Sequence, residues 1–288
     1  MAGLQILRLA IPSIVKVVDL LPKATQHFGV REYFEMPGVA LALVQAANSE
    51  ERVGWHYHET PHLTFILRGT VVEGTKRTIH HCAAGQLLFH GGFEPHYNRN
   101  VENDVRCLHI DFSPDYLASI ARGQNNLQGI FDVESSEIKL LCYKAFKEVV
   151  FADDLSPSSI HGIALDILSQ LLFCEVSARD PRPSWVGRLQ ELLKDKSSET
   201  FSLDELSHEL NIHPVHLSRS FSRYFRCTLG EYVRSVRVEK SLRLMSRRNL
   251  SLTEIATTCG FADQSHFTRS FKRIMGVTPS SYRKIIAS

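Results

Sequence analysis

Between Val30 and Phe112 the apolar residues come in short runs, some continuous and some alternating, with glycines between them. "VALALVQAA", "HLTFILRGTVVEG", "KRTIHHCAAGQLLFHGG" and "VRCLHIDF" are the clearest, punctuated by Gly38, Gly54, Gly69, Gly74, Gly85, Gly91 and Gly92. Short runs with regular turn signals predict strands of an all-β sandwich or small barrel. From Ser136 the period changes. Ile138, Leu141, Cys142, Ala145, Phe146, Val149 and Val150 recur at helical spacing, which predicts a helix over 136–151. "SSIHGIALDILSQLLFCEV" predicts a second over 157–176, apolar on a wide face. "SARDPRPS", residues 177–184, combines two prolines with charges and reads as a linker, after which every segment is helical.

The helical part repeats itself. Ser202, Leu203, Glu205 and Leu206 recur as Ser251, Leu252, Glu254 and Ile255, 49 residues later. Arg219, Ser220, Phe221, Arg223, Thr228 and Tyr232 recur as Arg269, Ser270, Phe271, Arg273, Thr278 and Tyr282, 50 residues later, so the second copy has one more residue in its turn. Each copy reads as a helix, a tight turn and a basic helix, the pattern of a helix-turn-helix. Gly260 and Asn211 stand where the turns need a left-handed residue. Asp263 is the N-cap expected in the second copy; His213, followed by Pro214, is the weaker one in the first.

At 100° per residue the second basic helices divide into two faces. Leu217, Phe221, Tyr224 and Phe225 in the first, and Phe267, Phe271, Ile274 and Met275 in the second, form apolar stripes. Val215, His216, Ser218, Arg219, Ser222 and Arg223 are the first unit's candidate DNA contacts. Gln264, Ser265, Thr268, Arg269, Lys272 and Arg273 are the second's. Arginine can bridge guanine bidentately, and hydroxyls reach bases or phosphates.

Charge follows the same division. From Ser184 onward there are 17 Lys and Arg against 10 Asp and Glu, whereas the rest of the chain has 16 against 21. A basic C-terminal third on a mildly acidic remainder suits a nucleic-acid module joined to another domain. The six cysteines (Cys82, Cys107, Cys142, Cys174, Cys227 and Cys259) form no CxxC pair; several sit within apolar runs and read as buried free thiols, which suits a reducing cytoplasm. Arg8, Pro12 and Lys16 interrupt the apolar N-terminus, and no run reaches the roughly 20 apolar residues of a membrane helix.

"IATTCGFADQSHFTRSFKRIMGVTPSSYRK", from Ile255, resembles the hallmark segment of the AraC/XylS-type transcriptional regulators, and the resemblance extends over residues 185–288. It implies two helix-turn-helix subdomains (202–225 and 251–275) joined by a helix over 229–248, holding the recognition helices about one DNA turn, roughly 34 Å, apart. The first unit departs from the family's usual residues at Ser207, Ser222 and Arg226. "GWHYHETPHLTFILRG" followed by "GQLLFHGGFEPHYNRN" resembles a cupin. His56 and His58 form an HxH pair, His62 stands near the position of the usual glutamate, and His96 takes the place of the last ligand, with Asn100 after it. These four histidines are candidates for a divalent metal site (Zn, Ni, Fe or Mn), for a metal-free effector pocket, or for structural hydrogen bonding. His80, His81 and His90 read as strand surface and turn; His109 and Asp111 alternate on one strand face.

The fold expected is α+β in two domains: a cupin-like effector-sensing β-barrel over 1–135, helices over 136–176, a linker over 177–184, and an all-α double helix-turn-helix domain over 185–288. The middle helices are candidates for pairing two subunits, for packing on their own barrel and the linker, or for both on different faces. The function expected is non-enzymatic: a sequence-specific transcriptional regulator whose partners are double-stranded DNA, a small-molecule effector, a second copy of the chain and RNA polymerase, with no membrane. The alternatives are a metal-dependent cupin enzyme carrying a DNA-binding domain, and an architectural DNA-binding protein with a vestigial barrel.

Overall fold

The computed structural model of the chain describes residues 30–46, 52–100, 105–121, 127–153, 155–179, 183–196, 199, 202–225, 227–245 and 249–287. The N-terminal stretch, Arg226 and the last three residues of the expected joining helix lie outside them. The strands are β1 (Val30–Met36), β2 (Val39–Ala46), β3 (Arg52–His56), β4 (His62–Arg68), β5 (Thr70–Gly74), β6 (Ile79–Ala83), β7 (Leu87–His90), β8 (His96–Asn100), β9 (Val105–Phe112) and β10 (Ile130–Asp132). The helices are α1 (Pro114–Ala121), α2 (Ser136–Val150), α3 (Ser156–Arg179), α4 (Ser184–Asp195), α5 (Leu203–Leu210), α6 (Pro214–Phe225), α7 (Leu229–Met245), α8 (Leu252–Thr258), α9 (Gln264–Met275) and α10 (Pro279–Ala287). This is the α+β order expected, strands first and helices after.

The strands form two antiparallel sheets, ordered β1-β2-β9-β4-β7-β10 and β3-β8-β5-β6. Gly69 and Gly85, with φ of 78° and 88°, break two of the long apolar runs into β4–β5 and β6–β7. The larger sheet is covered on both faces, which explains why its strands read as nearly unbroken apolar runs. Along β4, His62, Thr64 and Ile66 face the smaller sheet, while Leu63, Phe65 and Leu67 join the core that includes α2 and α3. β9 alternates the same way, with Cys107 and His109 on the inner face and Leu108, Ile110 and Phe112 on the outer one.

That outer core does not stop at α2. Phe65 meets Tyr143 edge-on at 4.7 Å, Tyr143 meets Tyr282 at 6.3 Å, and Tyr282 meets Phe271 at 5.7 Å. Sheet, α2, α3 and the second helical unit therefore share one continuous apolar cluster, which takes in Val238, Leu242 and Met245 of α7. The first helical unit has its own cluster, built on Leu189, Leu206, Leu217 and Phe221 and closed by Tyr232, Val233 and Val236 from the other end of α7. The turn at Gly85 lies so close to α7 that a Cβ there would collide with the Arg243 side chain.

One expectation needs amending, and two points that the sequence left open can be filled in. The second middle helix continues through Arg179, so Ser177 to Arg179 belong to α3 rather than to a linker; the prolines at 181 and 183 come only after it. No residue of α2 is exposed, because the larger sheet, α3 and the second unit cover it; of the two middle helices only α3 keeps an open side for a partner. α1 and β10 had no clear signal in the sequence. Cys82, Cys107, Cys142, Cys227 and Cys259 are free, and of these all but Cys227 are buried. Burial pushes the Cys107 and Cys259 thiols up to about 12.

The two cores are separable by mutation. Phe271→Ala, in the shared core, is expected to cost about 3–5 kcal/mol and to lower the urea midpoint reported by Trp55 in a Trp185→Phe background. Phe221→Ala acts instead on the transition reported by Trp185 in a Trp55→Phe background. Equal displacement of both reporters by Phe221→Ala would show that the first unit is not an independent core.

Candidate functional site

The two helical units are built by the same local devices. Ser202 and Ser251 each accept from the backbone N–H three residues on, at 3.1 Å, while Glu205 and Glu254 reach back to the serine N–H, closing two capping boxes. These bonds, from the Ser251 hydroxyl first, hold the Glu254 carboxyl below the usual range. Asn211 and Gly260 take the left-handed turns, with φ of 54° and 81°. Asp263 accepts from His266 N–H at 2.6 Å; His213 Nδ1 accepts from Val215 N–H at 3.3 Å, the longer bond expected of a histidine cap.

These caps fix which face of each second helix looks out. Leu217, Phe221, Phe267, Phe271 and Met275 are buried. Val215, His216, Ser218, Arg219 and Ser222 are exposed on α6, as are Gln264, Ser265, Arg269, Lys272 and Arg273 on α9; Thr268 is half-buried. The Arg223 side chain lies outside what is described. α7, which joins the units, has 17 residues and so spans about 25 Å.

Several of these side chains are positioned by neighbours that the repeat did not point to. Thr253 Oγ1 donates to Gln264 Oε1 at 2.6 Å, and Trp185 meets His216 edge-on at 6.4 Å. Arg273 donates to Glu231 of α7 at 3.4 Å. Glu231 also accepts from the N–H and hydroxyl of Thr228, and these bonds, ahead of Arg273 and Arg234, hold its carboxyl below the usual range. Arg234, Arg269, Arg273 and His266 line a cleft of about 500 Å³ between α7 and α9. Arg234 was not singled out from the sequence because it lies on the joining helix rather than in either repeated segment.

A second concentration of chemistry lies between the two sheets. His56 pairs directly across from His96 in the smaller sheet, and His62 across from His90 in the larger. Their rings pack together: His56–His96 at 4.3 Å, His58–His62 at 4.6 Å, and His62–His90 stacked at 4.3 Å. All four expected histidines therefore meet, and they line a cavity of about 80 Å³. His90, read from sequence as surface or turn, is only 1% exposed and donates from Nε2 to Glu73 Oε1 at 2.7 Å. His80 does lie at the periphery, beside Asp132, and His81 is exposed. His109 lines the same cavity, and buried Asp111 accepts from Thr60 at 3.5 Å.

Glu73 supplies the carboxylate of the cavity lining. It comes from β5, is 3% exposed, and desolvation raises its pKa against the opposing pull of His96, His80 and His56. Donor atoms of His56, His58 and His96 lie within 4.8 Å of one another, as do those of Glu73, His90 and His96. The signal for His90 was available, since a residue opposite His62 in an antiparallel pair shares its face, but it required the β4–β7 register. The signal for Glu73 required knowing that β5 lies in the opposite sheet.

Residues 206–285 match the model of a helix-turn-helix domain family. The chain is 34% identical over 90 residues to the HTH-type transcriptional regulator YpdC of Escherichia coli, covering 31% of this chain and 32% of YpdC. It is 23% identical over 249 residues to the HTH-type transcriptional activator RhaR of Escherichia coli, covering 80% and 86%. With the HTH-type transcriptional regulator YisR of Bacillus subtilis it shares 31% identity over 251 residues, 78% of this chain and 86% of YisR. The chain belongs to the AraC-type helix-turn-helix transcriptional regulators. Its α6 and α9 are the second helices of the two motifs, and the YisR and RhaR matches extend well into the sheets and middle helices. Among the described residues no helix is long and apolar enough to cross a membrane.

Arg273 lies on α9 and Arg234 on α7, and Glu231 bonds Arg273 in the cleft between the two helices. Glu231→Gln is expected to release Arg273 for a phosphate contact and to steepen the salt dependence of DNA binding, a slope change of about 0.9 in log K against log salt. Fluorescence anisotropy across a salt series reads this directly. An unchanged slope would show that Arg273 contributes no phosphate contact.

Proposed function

We propose that this regulator reads DNA with α6 and α9 of one chain and is controlled by a small ligand held among the histidines between its sheets. The observation that carries the reading is the apolar core that the larger sheet shares with the second helical unit. The sheet face opposite the cavity packs on α2, and α2 packs on the unit that carries α9. A ligand that changes how the sheets close would therefore alter the stance of the second unit relative to the first, which stays attached through α7. Two chains would pair through the open side of α3 and present two such readers to one operator. A regulatory role is favoured over cupin catalysis because the relatives matched over most of their length are named as regulators.

Arg219 and Arg269 are the base-reading candidates, each exposed on its helix. Arg219→Ala and Arg269→Ala are each expected to weaken binding to the preferred operator by about 1–3 kcal/mol while leaving random-sequence binding nearly unchanged. The operator is obtained by selecting bound sequences from random DNA, and affinities are compared at one fixed salt concentration. Equal affinity of wild type and both variants for the selected operator would remove these helices from the interface.

A further inference from the structure

We propose that the cleft between α7 and α9 is a phosphate-binding site, walled by Arg234, Arg269 and Arg273, in which Glu231 holds the place that a phosphate takes. The site rests on the reading of α9 as a DNA-reading helix and adds the joining helix to the chemistry.

Charge is unbalanced inside the cleft. Three guanidinium groups face one carboxylate there, a formal excess of two positive charges with His266 neutral. Among the described residues neither Arg234 nor Arg269 makes a hydrogen bond or an ion pair. Like charges gathered in one cleft repel, and an anion placed among them relieves the repulsion. The one pair that does form is loose. Arg273 meets Glu231 Oε1 at 3.4 Å, beyond the about 2.7–2.9 Å of a strong charge-assisted bond. Glu231 cannot follow an arginine outward, because its other oxygen accepts from the N–H and hydroxyl of Thr228, at 3.0 and 2.9 Å, at the start of α7.

Shape and donor chemistry suit a phosphate. The cleft of about 500 Å³ lies within the roughly 300–1,000 Å³ of ligand pockets. Gly230 leaves the Arg234 side chain room to lie along the first turn of α7, since a Cβ there would stand 3.3 Å from its Nη1. On the α9 side the hydroxyl of Ser270, a residue only 6% exposed, adds a donor beside the guanidinium groups. Planar guanidinium forks match pairs of phosphate oxygens, which a single ammonium does not.

Two carriers can present that phosphate. With α6 and α9 in successive major-groove segments, the DNA backbone between them would pass the joining helix, and Arg234 would hold it there. A free phosphorylated compound would fill the same cleft and take Arg269, a base-reading candidate, away from DNA. The chemistry is shared, and the effect on DNA binding is opposite.

The test uses the full-length chain at one fixed salt concentration. Pyrophosphate is titrated by calorimetry. Selected operator DNA is titrated with single methylphosphonates, each removing one phosphate charge, placed between the two major-groove contacts. Arg234→Ala is expected to weaken whichever ligand enters the cleft about 10-fold. Glu231→Gln is expected to tighten it about three-fold, since glutamine keeps the cap with Thr228 and loses the charge. Lys240→Ala removes the same charge from the same helix outside the cleft lining and should stay within about two-fold of wild type. If alanine at 234 lowers the melting temperature, Arg234→Gln replaces it. A neutralised phosphate that weakens wild type but not Arg234→Ala assigns the cleft to the DNA backbone. One pyrophosphate per chain that competes with operator assigns it to a free phosphorylated compound. Absence of both, or equal loss in Arg234→Ala and Lys240→Ala, overturns the site while leaving the DNA-reading helices untouched. Pyrophosphate binding that Arg234→Ala weakens, in a chain whose operator affinity ignores Arg219→Ala and Arg269→Ala, refutes the reading of those helices and leaves the phosphate site standing.

Discussion

The structure depends on one apolar contact made twice over: the outer face of the larger sheet against α2, and α2 against the second helical unit. Phe65, Tyr143, Tyr282 and Phe271 form the aromatic line through it, and α2 has no exposed residue left. Packed interiors do not deform smoothly, so a change in one layer either is absorbed or shifts the next as a body. The first helical unit escapes this constraint because its core is closed by its own helices and the near half of α7. The two DNA-reading units are thus alike in local design and unlike in attachment.

The inner face of the same sheet carries the opposite chemistry. Strand alternation places histidines and threonine there while leucine and phenylalanine fill the outer face, so one strand serves both the cavity and the core. Burying six imidazoles and a carboxylate in a small space is costly unless each is bonded. Backbone carbonyls at Gly54, Thr60 and Glu94 and the Glu73–His90 bond meet part of that demand. Polar cavity and apolar core thus lie on opposite faces of the same strands, one strand thickness apart.

Much of this was legible in the residues. The helix starts at His213 and Asp263, the left-handed positions at Asn211 and Gly260, and the outward faces of α6 and α9 follow from rules that act over a few residues, and the structure holds them as expected. The glycine-broken runs marked the strands for the same reason. His90 and Glu73 were missed because their role depends on which strands face each other, a property of register and sheet order rather than of local spacing. The burial of α2 was left open for a like reason: an apolar helix looks the same in sequence whether it covers its own sheet or a second chain. The end of α3 ran past the expected linker because Ser177 and Ala178 do not stop a helix, and the prolines that do lie further on.

Hydrogen exchange on the full-length chain tests the shared core most directly. Amides of α2 and α9 that open as one unit should show the same protection and respond together to Phe271→Ala, while those of α6 exchange on their own schedule. Protection of α9 that followed α6 and ignored α2 would contradict a common core between the larger sheet and the second helical unit.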